Sequence, residues 1–141
     1  MNAPPAKPVE VAAGLVFHDG KLLITQRHPK AHLGGLWEFP GGKRESGETF
    51  EQCLVRELRE ELGIGVRVGK LVQSVTHQYP EKTVHLRFFE CSWQDGELQL
   101  LDCHAFRWIS VAELDDHEFP AADAQLIETL RGSEQLWKRD S

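Results

Sequence analysis

Apolar and polar positions along this chain change their period several times, and each change marks an element. Val9 to Phe17 and Leu22 to Arg27 read as two strands. They are joined at Asp19-Gly20, a favoured two-residue hairpin turn whose central positions both need a positive φ. The stretch from Pro29 to Gly35 reads as a loop leading into the short apolar segment Leu36-Trp37-Glu38-Phe39, which Pro40-Gly41-Gly42 ends. A polar loop from Lys43 to Glu48 precedes a helix with both ends marked. Thr49 and Gln52 form a T-x-x-Q capping box, and Gly63 stands where a C-terminal glycine belongs. Between them Phe50, Leu54, Leu58 and Leu62 recur every four residues as one buried stripe, widened by Cys53 and Val55. Val66 to Tyr79 and Thr83 to Trp93 read as two longer strands about a turn at Pro80-Glu81-Lys82. Val84, Leu86 and Phe88 alternate there with His85 and Arg87, as a sheet with differently occupied faces requires. A turn at Asp95-Gly96, a strand from Ala105 to Ile109, a short helix capped by Ser110 and a helix from Ala121 to Leu130 complete the pattern. It predicts a disordered, proline-rich lead at 1–8, one domain over 9–132 and a polar tail at 133–141, with no internal repeat.

Composition narrows the class. The 141 residues are 40% hydrophobic and 27% charged, ordinary globular usage that argues against wholesale disorder, a collagen-like repeat or a coiled coil. The longest clean apolar run, Val11 to Phe17, is far short of a membrane span, and the first residues lack the apolar stretch of a signal peptide. A cytoplasmic protein with no membrane partner is the expectation. Sixteen basic residues against 22 acidic ones give a net charge of −6, which works against binding a nucleic-acid polymer. Small phosphorylated ligands stay open, since a metal ion can supply positive charge. Cys53, Cys91 and Cys103 form no CxxC pair and read as reduced, mostly buried thiols.

The chemistry concentrates on the punctuated helix, at Arg56-Glu57-Leu58-Arg59-Glu60-Glu61. Glu57, Glu60 and Glu61 stand three or four residues apart and can project to one side, and Glu48 reaches toward them from the loop. A solvated acidic face balanced by Arg56 and Arg59 is the plainer alternative. Like charges at such spacings cost an isolated helix roughly 0.2–0.5 kcal/mol per pair, a sign that a divalent cation reverses. Clustered carboxylates suit a hard ion such as Mg²⁺ or Mn²⁺. Gly41-Gly42 permits close approach of backbone to a ligand, with Lys43 and Arg44 as adjoining cations.

From Gly42 the chain reads five residues, Glu48, seven residues, then Arg56-Glu57-Leu58-Arg59-Glu60-Glu61-Leu62-Gly63-Ile64. This resembles the complete signature of the Nudix hydrolases, G-x5-E-x7-R-E-U-x-E-E-x-G-U with U aliphatic. Trp37-Glu38-Phe39-Pro40-Gly41-Gly42-Lys43 and Phe119-Pro120-Ala121-Ala122-Asp123 look like the MutT-type nucleoside triphosphate pyrophosphohydrolases. The resemblance implies an α/β (α+β) fold, a Nudix-type α/β/α sandwich around a mixed β-sheet. It also implies Mg²⁺- or Mn²⁺-dependent attack of water on a phosphoanhydride, at the β-phosphorus in MutT-type relatives, giving a nucleoside monophosphate and pyrophosphate. Many such enzymes remove oxidised guanine nucleotides such as 8-oxo-dGTP from the precursor pool.

Carried onto this sequence, the resemblance makes Glu57, Glu60 and Glu61 metal ligands and catalytic groups, joined by the main-chain carbonyl of Gly41. Arg56 would orient Glu57, or else form a surface pair with Glu60. Glu48 is an outer ligand or holds its loop. The further carboxylate that some relatives use as ligand or base before the late tryptophan strand is matched only by Asp102, which makes Asp102 a candidate metal ligand and leaves the general base open between Asp102, His104 and a signature glutamate. Arg27, His32, Phe39, Lys43 and Asp123 are the expected substrate contacts. For His32 ordering of its loop is the alternative, for Phe39 a place in the core, and for Asp123 a helix cap. An ionised Asp123 accepts only, from a guanine Watson–Crick edge or a cytosine amino group, and donates to a purine O6 only when protonated. The expected substrate is therefore a small nucleoside triphosphate, 8-oxo-dGTP first. Cytosine, 5-methylcytosine or broad-range nucleotides form the alternative, and a non-catalytic binding module is a third reading.

Overall fold

The computed structural model describes residues 7–31 and 33–138. The lead expected at 1–8 falls largely outside them, as does His32. In chain order the strands are β1 (Val9–His18), β2 (Lys21–Gln26), β3 (Trp37–Glu38), β4 (Gly41–Lys43), β5 (Ile64–Gln78), β6 (Thr83–Gly96) and β7 (Ala105–Ile109). The helices are α1 (Phe50–Leu62), α2 (Ala124–Arg131) and α3 (Glu134–Lys138), with 3₁₀ turns at Val111–Asp116 and Ala121–Asp123.

The sheet is mixed, in the order β3-β2-β1-β6-β5, with β4 added to β1 and β7 to β2. Its centre is the parallel ladder of β1 on β6, from Val9 opposite Val84 to Val16 opposite Cys91, and the remaining pairings are antiparallel. Alternation along β1 decides which helix packs where. Ala12 and Val16 face α1 with Leu54, Leu58 and Leu62, whereas Ala13, Leu15 and Phe17 face Leu126, Leu130 and Trp137 from α2 and α3. Helices thus cover both faces, the layered α+β arrangement expected.

Helix α1 forms as its punctuation predicts. Thr49 and Gln52 exchange hydrogen bonds of 3.0 and 2.9 Å, and Gly63 closes the last turn at φ 71°, a conformation that costs glycine least. The Asp19-Gly20 turn also has both φ values positive.

Four expectations need correction. Gly41–Lys43 is a strand paired to β1 rather than a turn, because its flat glycines fit beside Ala12 and Ala13. Val55 lies off the apolar stripe and is exposed. Asp95 and Gly96 pair with Gly65 and Ile64, so β6 runs on past Trp93. The tail at 133–141 is not simply polar: α3 buries Leu136 and Trp137, whose indole meets Phe17 edge-on at 5.3 Å.

Candidate active site

The signature carboxylates divide by burial. Glu57 projects from α1 against Gly42, so closely that a Cβ added there would lie 2.2 Å from the Glu57 carboxyl carbon. A side chain at position 42 would have to push the Glu57 carboxyl aside. Arg56 donates to Glu57 at 3.0 Å, to both oxygens of Glu48 at 2.7 and 3.1 Å, and to the Lys43 carbonyl at 3.1 Å. It reaches Glu60 more loosely, at 3.4 Å. Both expected contacts of Arg56 are therefore present, with the bond to Glu57 the shorter. Glu48 also accepts from the Glu45 amide at 2.8 Å, so its carboxylate is spent on holding loop and arginine. These bonds keep the Glu48 carboxyl low, at about 2, Arg56 contributing most.

Glu61 is the opposite case. Its Oε1 is buried with no hydrogen-bond partner among the described residues. Burial first, then the neighbouring charges of Glu38 and Glu57, push its carboxyl up to about 9, against a hydrogen bond from the Gly41 backbone. Burial also raises Glu57, opposed by Arg56. Crowding of like charges is the second cause, not the first. Glu60 lies exposed, turned to Arg56. Among the described residues no group of three His, Cys, Asp or Glu side chains is already arranged around one ion.

The turn of chain from Gln99 to Asp102 docks on the open end of α1. Gln99 donates to the Leu62 carbonyl, and Leu101 and Asp102 to that of Glu61, satisfying carbonyls a helix end otherwise leaves orphaned. Asp102 is thereby brought within electrostatic range of Glu57 and Glu61. His104 instead packs its ring 6.0 Å from that of His28.

On the opposite face of the sheet a cavity of about 180 Å³ opens beside β4. Phe39 contributes to its wall and to the core at once, stacked on Phe119 at 5.3 Å with rings 9° apart. Arg27 and Lys43 line it, Arg27 donating to both oxygens of Glu38 at 3.0 and 3.1 Å. Asp123 lines it too and is only 5% exposed. Its side chain makes no helix-capping bond, which removes the capping alternative. Burial, then the charge of Glu38, push its carboxyl up to about 7.

Glu38 and Tyr79 were not singled out by sequence reasoning. Burial raises the Glu38 carboxyl against the attraction of Arg27, and Glu38 stands in electrostatic contact with Glu61 on one side and Asp123 on the other. A glutamate between Trp37 and Phe39 in a two-residue strand was the one available signal.

Comparison with known proteins follows this geometry. Residues 12–129 match the profile of the NUDIX domain family. The chain is 40% identical over 124 residues to the CTP pyrophosphohydrolase of Escherichia coli K12, covering 88% of this chain and 92% of that one. It is 33% identical over 126 residues to the 8-oxo-dGTP diphosphatase of the same organism, covering 89% and 98%. A crystal structure of a MutT protein from Methanosarcina mazei Go1 superposes with a TM-score of 0.80 at 24% identity, covering 92% of this chain and 97% of that one, a likeness of fold.

Proposed function

The chain belongs to the NUDIX domain family and is a MutT-type hydrolase of phosphoanhydrides, and from that premise we propose that it cleaves (d)NTPs to (d)NMP and pyrophosphate with Mg²⁺ or Mn²⁺, 8-oxo-dGTP foremost. The observation that carries this is the pairing of a carboxylate cluster at Gly41-Gly42 with a base-sized cavity lined by a buried Asp123.

The residues fit a hard divalent ion. Glu61 holds a buried oxygen with no partner among the described residues, and Glu57 lies against a glycine that leaves it room. Glu57, Glu61 and the Gly41 carbonyl would hold the ion, with Glu60 joining from its exposed position. When bound, the ion polarises phosphate oxygens and acidifies the attacking water. Arg56 fixes the Glu57 carboxylate and is itself fixed by Glu48, so the reactive end stays ordered without substrate. Glu57, Glu61 and Asp102 are the proton acceptors in reach, whereas His104 faces His28. Arg27 and Lys43 supply cations toward the phosphates, and Phe39 and Asp123 meet the base.

The second reading is a cytosine-nucleotide pyrophosphohydrolase. The specific support is Asp123 itself: in its ionised form it accepts from a cytosine amino group, and the relative at 40% identity is named a CTP pyrophosphohydrolase. Mg²⁺-dependent release of pyrophosphate from dGTP, 8-oxo-dGTP, dCTP and 5-methyl-dCTP separates the two. A dominant kcat/KM for 8-oxo-dGTP supports the first reading. Dominance of the cytosine nucleotides replaces it with the second, and no turnover of any overturns both.

A further inference from the structure

Of the two cations that adjoin Gly41-Gly42, Lys43 lines the cavity and Arg44 does not. Successive side chains alternate across the sheet here: Gly42 meets Glu57, Lys43 meets the cavity, and Arg44 returns to the α1 side. There its guanidinium carbon lies 5.4 Å from the centroid of the Phe50 ring. Phe50 is the buried first residue of α1, and Arg87 of β6 approaches the same ring at 4.3 Å.

From that seat Arg44 joins three pieces of chain. Its amide donates to the Glu10 carbonyl at 2.8 Å, carrying the β4–β1 pairing one bond further. One terminal guanidinium nitrogen donates to the Glu10 carboxylate, and the other donates to the Glu48 carbonyl at 2.7 Å. Arg44 chiefly, against burial, holds the Glu10 carboxyl below its ordinary value. The Glu48 amide reaches only across its own loop, to the Glu45 carbonyl at 3.3 Å, so it is Arg44 that ties the Glu48 backbone to the sheet. The Glu48 carboxylate in turn holds Arg56, and Arg56 holds Glu57. The signature spacing specifies neither Glu10 nor Arg44, and the five residues from Lys43 to Gly47 are open in it.

We propose that Arg44 is a positioning residue for the carboxylate cluster: by fixing the Glu48 backbone to Glu10 of β1, it sets where the Glu48 carboxylate holds Arg56 and, through Arg56, where Glu57 stands. The assignment rests on the reading of Glu57 as a metal ligand above. Charge alone predicts the opposite effect. A cation near a divalent site repels the ion, so its removal tightens metal binding, whereas loss of a support weakens it.

Arg44→Gln separates the two by sign. Mn²⁺ affinity without nucleotide, followed by the EPR signal of the free ion, falls about tenfold, the low end of what a ligand's supporting partner contributes. In metal-free protein, hydrogen exchange at the Arg56 Nε–H, which donates to Glu48, quickens. Amides of the β2–β7 ladder keep their protection and mark an intact fold. Glu10→Gln keeps an acceptor oxygen without the charge and gives a smaller loss in the same direction, and it answers the question should Arg44→Gln unsettle the ladder. In an Arg56→Gln background Arg44→Gln costs no further Mn²⁺ affinity, because the path runs through Arg56. Unchanged or tighter Mn²⁺ binding overturns the proposal, as does unchanged Arg56 exchange or an equal loss in the Arg56→Gln background. A wild type that binds Mn²⁺ but turns over no nucleotide removes the substrate reading and leaves this test in force. A wild type that binds no Mn²⁺ removes the metal reading, and Arg56 exchange alone then decides for or against the tie.

Discussion

At the carboxylate end of the site, Glu48, Arg56, Glu57 and Glu61 come from one loop and one helix, and Arg56 ties Glu48 to Glu57 by charge-assisted bonds. At the cavity end, Arg27, Glu38, Tyr79 and Asp123 come from four separate elements and meet only because the sheet brings them round one cavity. The first arrangement is local and over-determined, and the second depends on tertiary structure throughout. On the proposed function, the difference puts bond cleavage on the helix register and selectivity on the packing of distant segments. Substitutions should separate the two.

The largest effect falls on Glu57→Gln. Loss of a ligand and proton-handling carboxylate should lower kcat about 10²–10⁴-fold with the order of base preference kept, checked by steady-state kinetics on the nucleotide panel. Arg56→Gln comes next, with a loss of roughly 10–100-fold in activity or in Mg²⁺ affinity, because it frees Glu57 and Glu48 without removing either. At the other end Asp123→Asn should leave kcat largely in place and change the kcat/KM ratio between guanine and cytosine nucleotides by roughly tenfold or more. Should Asp123→Asn abolish turnover of every base alike, the division between the two ends is wrong.

The last effect is on folding. Asp123 has its carboxyl raised by burial to about 7 from an ordinary 3.8, so the folded chain holds a proton that the unfolded chain releases. Its contribution is full below the ordinary value, declines as pH rises from there to about 7, and is constant above. Denaturant midpoints across that range should show the decline in the wild type and a flatter profile in Asp123→Asn.

The same contrast explains what the sequence made legible. Helix α1 could be read residue by residue because caps, stripe and charges are all set by spacing along one helix. The Asp19-Gly20 turn and the Ala105–Ile109 strand were legible for the same local reason. Strand β4 was not, since two glycines carry no strand preference and pair only because β1 offers a flat edge of alanines. Neither was α3, whose five residues are too few to show a period and are held by Leu136 and Trp137 docking on the sheet face. Glu38 gains its setting from Arg27 and from the Trp37 amide bonded to the Glu118 carbonyl, and Tyr79 gains its own from Ala122. No local pattern marks either.

Strand β5 is the last strand of the sheet, and its ladder to β6 shifts register at Gly65/Val66, Val68/Leu71 and Leu71/Gln73. A long, straight outer strand is a template on which another chain can add itself, the first step of aggregation. Repeated shifts bend this one out of plane, and exposed Arg67 and Lys70 set charge along it. The bends also fix where the far end of the strand delivers Tyr79. Straightening β5 for a more regular ladder would therefore lengthen the flat edge open to a second copy, so one irregular piece of backbone both guards the end of the sheet and carries the chain on to Tyr79 at the cavity.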